Sequence, residues 1–176
     1  AIARKFASHG ATLILPVFDW PESILEMETE FTASGYNFFI IHADLRKKNE
    51  VIRLTEFISS QTKSVDFLIN NIERGGMPVV HGSYDLPHIE DQWDVEFATT
   101  LKAKWLLFHH LIPLMHQRPG AAVVNVSSIA GIVGRSGAAA VFFNDGYSAA
   151  NRAIQSFTET WAREAAPSVR VNELML

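Results

Sequence analysis

The chain has 176 residues, 48% of them apolar and 19% charged, with a formal charge of -4. These values describe one ordinary globular domain with a full-sized core, and they argue against the basic footprint of a nucleic-acid binder or a lysine- and arginine-rich stretch for an anionic membrane. With no cysteine there is no disulfide framework, thiol nucleophile or thiolate metal site. No apolar run approaches the roughly 20 residues of a spanning helix, and no charged-then-apolar leader opens the chain. A soluble, cytoplasmic protein with neither nucleic acid nor membrane as a partner is the expectation.

In chain order, Ala1 to Ser8 reads as the end of a helix, and His9-Gly10 as its exit into a first strand, Thr12 to Leu15. From Ser23 to Ala33, Ile24, Met27 and Phe31 recur among acids, which predicts a helix with one buried stripe. Phe38 to His42 is a second strand, Asn49 to Ser60 a helix, and Val65 to Asn70 an apolar strand. A loop rich in Gly and Pro, Gly75 to Pro87, precedes a long helix from Ile89 to His116. Ala121 to Val126 is a strand, Tyr147 to Ala165 a helix, and Val169 to Leu176 a last strand. This alternation is the signature of βαβ units: an α/β fold with a doubly wound parallel sheet covered on both faces. No repeat, linker or low-complexity segment divides it, so residues 1–176 are expected to form a single domain.

The opening AIARKFASHGATLIL starts inside a helix, with no strand before it and no Gly-rich turn. In a doubly wound sheet that turn seats a pyrophosphate on the following helix N-terminus. Its absence predicts that these residues are the middle of a longer domain, because losing a central strand would leave its neighbours with unpaired backbone groups.

The segments HADL, VDFLINNIE, AAVVNVSSIAG, YSAAN and VRVNELML occur in the order and at about the spacing of the short-chain dehydrogenase/reductase family, which the chain resembles over nearly its whole length. The resemblance implies a Rossmann-type fold of three layers, αβα, and hydride transfer between NAD or NADP and a small carbonyl or secondary-alcohol substrate. Carried onto matching positions, it makes Ser128 the hydrogen-bond donor to the substrate oxygen and Tyr147 the proton donor and acceptor. It places Thr100 where the family has an asparagine that holds a water for proton relay. Asp44 and Leu45 fit the adenine-contacting pair, and Asn70, Asn71 and Ile72, followed by Glu73, stand in the turn beside the cofactor.

The departures from the family pattern bear on this chemistry. Asn151 stands where a lysine, four residues after the tyrosine, normally lowers the phenol's pKa and holds the nicotinamide ribose. A phenol titrates near 10, so a general acid/base at neutral pH benefits from a nearby cation. Asparagine can hydrogen-bond a ribose but supplies no charge, and the helix dipole at Tyr147 contributes only about 0.3–1 kcal/mol. Arg152 points about 100° away on the helix, and Arg135 lies in the loop between Ser128 and Tyr147. Ile72 and Glu73 replace a small pair, predicting crowding near the cofactor. The spacer between Ser128 and Tyr147 is longer than usual, with Phe142-Phe143 near its end, poised to cap or to fill the substrate pocket. At the end of the first strand Val17, Phe18 and Asp19 state neither an NAD nor an NADP preference.

Each signal alone has an ordinary explanation. Ser127 and Ser128 can simply end a strand, Tyr147 can be an amphipathic helix start, and Asp44 can cap a helix before a solvated Arg46-Lys47-Lys48 face. His109, His110 and His116 face different ways on a helix without an acid at ligand spacing, so no metal site is expected. Two functions follow: an NAD(P)-dependent oxidoreductase using Tyr147, Ser128, Asn151 and Thr100, or a catalytically silent relative that serves as a binding or subunit-pairing scaffold. The resemblance also implies a homodimer or homotetramer packed through the two long helices, for which Trp105, Phe108, Leu111, Phe157 and Trp161 supply surplus apolar surface.

Overall fold

The structure is a computed structural model that describes residues 1–72, 89–134 and 145–176. Strands β1 (Leu13–Val17), β2 (Phe38–His42), β3 (Phe67–Asn70), β4 (Ala121–Ser127) and β5 (Val169–Met175) alternate with helices. The helices are α1 (Ile2–Ala7), α2 (Pro21–Ala33), α3 (Lys48–Gln61), α4 (Ile89–Glu96), α5 (Ala103–Met115), α6 (Ala130–Val133) and α7 (Asp145–Glu164). All strand pairs are parallel, as the βαβ alternation requires.

Apolar spacing explains the packing. On α3 the buried residues are Val51, Leu54 and Ile58, one stripe of a helix. β4 reads AAVVNVS and is buried at every position but Val124, because it is the middle strand of its ladder. The main core lies between β3, β4 and β5 and the helices α3, α5 and α7, with Leu54, Phe108, Val123, Trp161 and Val171 in one cluster. Trp161 stacks on Phe108 at 4.2 Å between centroids, a pairing worth about 0.5–1.5 kcal/mol beyond the area it buries.

Three features differ from the expected pattern. The strands form two ladders, β1-β2 and β3-β4-β5, rather than one sheet. Side chains bridge them: Phe6 of α1 meets Phe67 of β3 at 5.4 Å, and Ile14 of β1 and Ile41 of β2 pack against the main cluster. The long helix from Ile89 is interrupted by a π-helical turn, Phe97–Lys102, inserted between α4 and α5. Such turns occur often at functional sites, and this one carries Thr100. The short helix α6 was not anticipated, since four residues are too few to show a period. Elsewhere the boundaries move by about two residues: α2 starts at Pro21, whose fixed φ suits a first helical turn, and α7 starts at Asp145.

Candidate active site

The carboxyl ends of β3 and β4 carry a chain of buried amides. Asn70 Nδ2 donates to Asn125 Oδ1 at 2.8 Å, and Asn125 Nδ2 donates to Thr158 Oγ1 on α7 at 2.9 Å. Asn70 Oδ1 is buried and has no partner among the described residues. These residues tie the two strand ends to α7 through neutral groups, which cost less to bury than charges. Two residues past Asn125, Ser127 Oγ donates to Glu173 Oε1 across the β4-β5 ladder.

Ser128 follows directly and is buried, its Oγ accepting the Ala130 N–H at 3.2 Å. That bond turns the chain into α6, which lies against α7. At Gly131 a Cβ would stand 2.9 Å from the Arg152 nitrogen and 3.0 Å from the Asn151 carbonyl carbon, so only glycine allows this approach. Tyr147, on the first turn of α7, is half-buried, and Asn151, one turn later, is buried. The Ser128 segment and the start of α7 are therefore brought together by backbone contact.

The supports are arranged differently from a plain reading of the motif. Asn151 Nδ2 donates to the Tyr147 carbonyl at 3.0 Å, so half of its amide is spent on its own helix. Arg152 is exposed and bonds Gln155, away from the tyrosine. Thr100 is buried in the π-turn, its Oγ1 3.5 Å from Glu96 Oε2. Lys104, one turn further and only 2% exposed, donates from Nζ to the Val126 carbonyl at 2.8 Å. β3 leaves the ladder after Asn70, opposite Asn125, and this ammonium takes up the next carbonyl of β4. Sequence reasoning missed both Glu96 and Lys104. The available signal was phase: Lys104 repeats with the apolar residues Leu107, Phe108 and Leu111.

A second group of side chains lies at the carboxyl ends of β1 and β2. Asp44 is 5% exposed and accepts three bonds from Arg46: N at 3.2 Å and Nε at 2.7 Å on Oδ1, and Nη2 at 2.9 Å on Oδ2. Lys47 Nζ adds an ion pair at 3.4 Å. The Arg46 guanidinium holds this carboxyl below the usual carboxylate range, against the opposing effect of its burial. Asp44 is thus not a helix cap: the cap of α3 is Lys47, whose side chain makes no capping bond to the helix. Leu45 is half-buried against the main core. Arg46 also lies over the exposed ring of Phe18, 5.1 Å from its centroid. In the turn after β3, Asn71 is exposed and donates its N–H to the Ile69 carbonyl at 3.0 Å, while Ile72 packs on the core. Glu73, Arg135, Phe142 and Phe143 lie outside the described residues.

On the outer helix face, Phe108, Leu111 and Trp161 are buried, whereas Trp105 is 42% exposed and Phe157 half-buried. Trp105 and Phe157, with Phe97 and Leu101, line an open groove of about 450 Å³. The apolar surplus noted in the sequence is therefore divided between core and surface. Among the described residues no helix is long and apolar enough to cross a membrane.

Comparison with known proteins gives a consistent result. The short chain dehydrogenase family model matches residues 1–176. The chain is 29% identical over 176 residues to a D-beta-hydroxybutyrate dehydrogenase of Rhizobium meliloti, covering 99% of this chain and 64% of that protein. It is 30% identical over 166 residues to a 3-oxoacyl-[acyl-carrier-protein] reductase of Staphylococcus epidermidis, covering 94% of this chain and 64% of that one. It thus spans somewhat under two thirds of the length of these curated relatives. Among solved structures, a metagenomic short-chain oxidoreductase in complex with NADP superposes with a TM-score of 0.79 at 26% identity, over 99% of this chain and 74% of that one.

Proposed function

Because the chain belongs to the short-chain dehydrogenase family, we propose that the protein is an NAD(P)-linked oxidoreductase that reduces a carbonyl or oxidises a secondary alcohol. The observation that carries the reading is the contact of α6 with α7 at Gly131, which holds the Ser128 segment against the turns bearing Tyr147 and Asn151. The names of the dehydrogenase and reductase relatives support it over a silent scaffold.

The donor set fits a dinucleotide. Asn71 is exposed at the end of β3, and an aromatic face with cations, Phe18 with Arg46 and Lys47, stands at the ends of β1 and β2. Asp44, Leu45, Asn70, Asn71 and Ile72 would flank the cofactor, and Tyr147 and Asn151 its nicotinamide ribose. When bound, the nicotinamide supplies or accepts the hydride. Ser128 would donate its hydroxyl proton to a hydrogen bond with the substrate oxygen, and Tyr147 would deliver its phenolic proton to that oxygen in reduction or take it back in oxidation. Thr100 offers one hydroxyl to a relay water in place of an amide. Asn151 brings no charge.

Nicotinamide fluorescence on mixing the protein with NADH and NADPH, followed by turnover with a panel of ketones, tests the reading. Binding with turnover supports it; no binding of either cofactor at millimolar concentration overturns it. Asn151→Lys should raise the rate if Tyr147 is positioned for chemistry. The substrate is a small carbonyl or alcohol compound, and the setting we propose is cytoplasmic. The Trp105 and Phe157 groove supports assembly into a homodimer or homotetramer, to be checked by mass in solution.

A further inference from the structure

We infer that Arg46, rather than the Asp44 carboxylate, meets the adenosine end of the cofactor, and that its guanidinium selects NADP over NAD by pairing with the 2′-phosphate. The inference rests on the dinucleotide reading above and sharpens it.

It starts from the acceptor capacity of Asp44. A carboxylate offers about four lone-pair sites, and Asp44 has two donors on each oxygen: Arg46 N and Nε on Oδ1, Arg46 Nη2 and Lys47 Nζ on Oδ2. An adenine amino group or a ribose hydroxyl could bond here only by displacing an ion pair. At the end of β1 the carboxylate is that of Asp19, exposed and two residues past Val17. Val17 stands where an acid would accept the ribose diol, so that position neither binds the hydroxyls of NAD nor repels a phosphate.

Arg46 has the complementary properties. The fork to Asp44 engages Nε and Nη2, and among the described residues Nη1 has no partner. The side chain is 36% exposed, and the Phe18 ring beneath it fixes the plane. A guanidinium held on one edge by a carboxylate and on one face by a ring loses little freedom on binding, and its open edge matches a phosphate oxygen. Lys47 and Lys48, both exposed, lie beside it. They offset Asp19, the other carboxylate that bears on Arg46.

The test is a titration of the protein with NADPH and with NADH, read by nicotinamide fluorescence at fixed ionic strength. NADPH is expected to bind at least about tenfold more tightly. Arg46→Ala should weaken NADPH about 10–100-fold and NADH by no more than about threefold, the scale of one charge-assisted bidentate contact; Arg46→Lys should restore part of the loss. Retained NADH binding shows that the variant is folded. Should Arg46→Ala not fold, the unaltered protein still decides: 2′,5′-ADP should displace bound NADPH at concentrations where 5′-ADP does not. Equal affinity for the two cofactors, equal displacement by the two nucleotides, or an equal loss of both cofactors in Arg46→Ala overturns the inference. Binding of neither cofactor overturns the dinucleotide reading itself, and the inference with it.

Discussion

The rim at β3 and β4 and the rim at β1 and β2 both hold polar side chains at the carboxyl ends of parallel strands, by opposite means. At β3 and β4 the work is done by neutral amides, Asn70 and Asn125, fully buried and passing a hydrogen bond to Thr158. At β1 and β2 it is done by charges, Asp44 with Arg46 and Lys47, whose cations reach solvent. The difference follows from the cost of desolvation: a buried amide needs only its hydrogen bonds, while a charge held in the open keeps much of its hydration. The first arrangement is rigid and specific in geometry. The second presents charge outward, as recognition of an anion requires. Lys104 stands apart, since it buries an ammonium against the Val126 carbonyl beside the amide chain.

Changes on the β4 side should have the larger effects. Tyr147→Phe is expected to lower turnover by about 10²–10⁴-fold, the usual contribution of a positioned acid/base, a larger factor than any loss of cofactor affinity; steady-state rates beside a fluorescence titration check it. Asn125→Ala strips partners from Asn70 and Thr158 together and leaves a small cavity. The expected loss is about 2–4 kcal/mol by urea unfolding. Gly131→Ala forces a Cβ against backbone atoms of α7 at 2.9 Å, which should cost about 1–3 kcal/mol and depress activity along with stability, as both follow from α6 moving away from α7.

The smallest effect should come from the ion-paired rim, and it should depend on pH. The Asp44 carboxyl has its pKa lowered, chiefly by Arg46. Its contribution to stability is therefore fully present above the ordinary carboxylate value near 4 and is lost as pH falls through the lower, folded-state value. Asp44→Asn should cost about 1 kcal/mol at neutral pH and flatten the acid side of the stability profile, measured by urea unfolding from pH 6 to pH 2. A larger loss in Asp44→Asn than in Asn125→Ala would reverse the contrast between the two rims.

Much of this organisation was legible in the chain. Strand and helix positions follow from apolar spacing, and Ser128, Tyr147 and the Asn70-Asn71 turn stand out because their order and spacing form a pattern no single residue carries. What stayed illegible was where polar side chains aim. That Asn151 bonds back to the Tyr147 carbonyl, that Asp44 holds Arg46 instead of capping α3, and that Lys104 reaches β4 each depend on rotamers and on neighbours far along the chain.

The sequence by itself determined the alternation of parallel strands and helices and the residues eligible for chemistry, because periodicity is a local property written in consecutive residues. Only the tertiary structure decided that the strands divide into two ladders, that a π-turn carries Thr100, and that Gly131 lets α6 rest against α7. These are matters of which distant backbones approach and which donors find acceptors, and they are settled when the whole chain packs, not residue by residue.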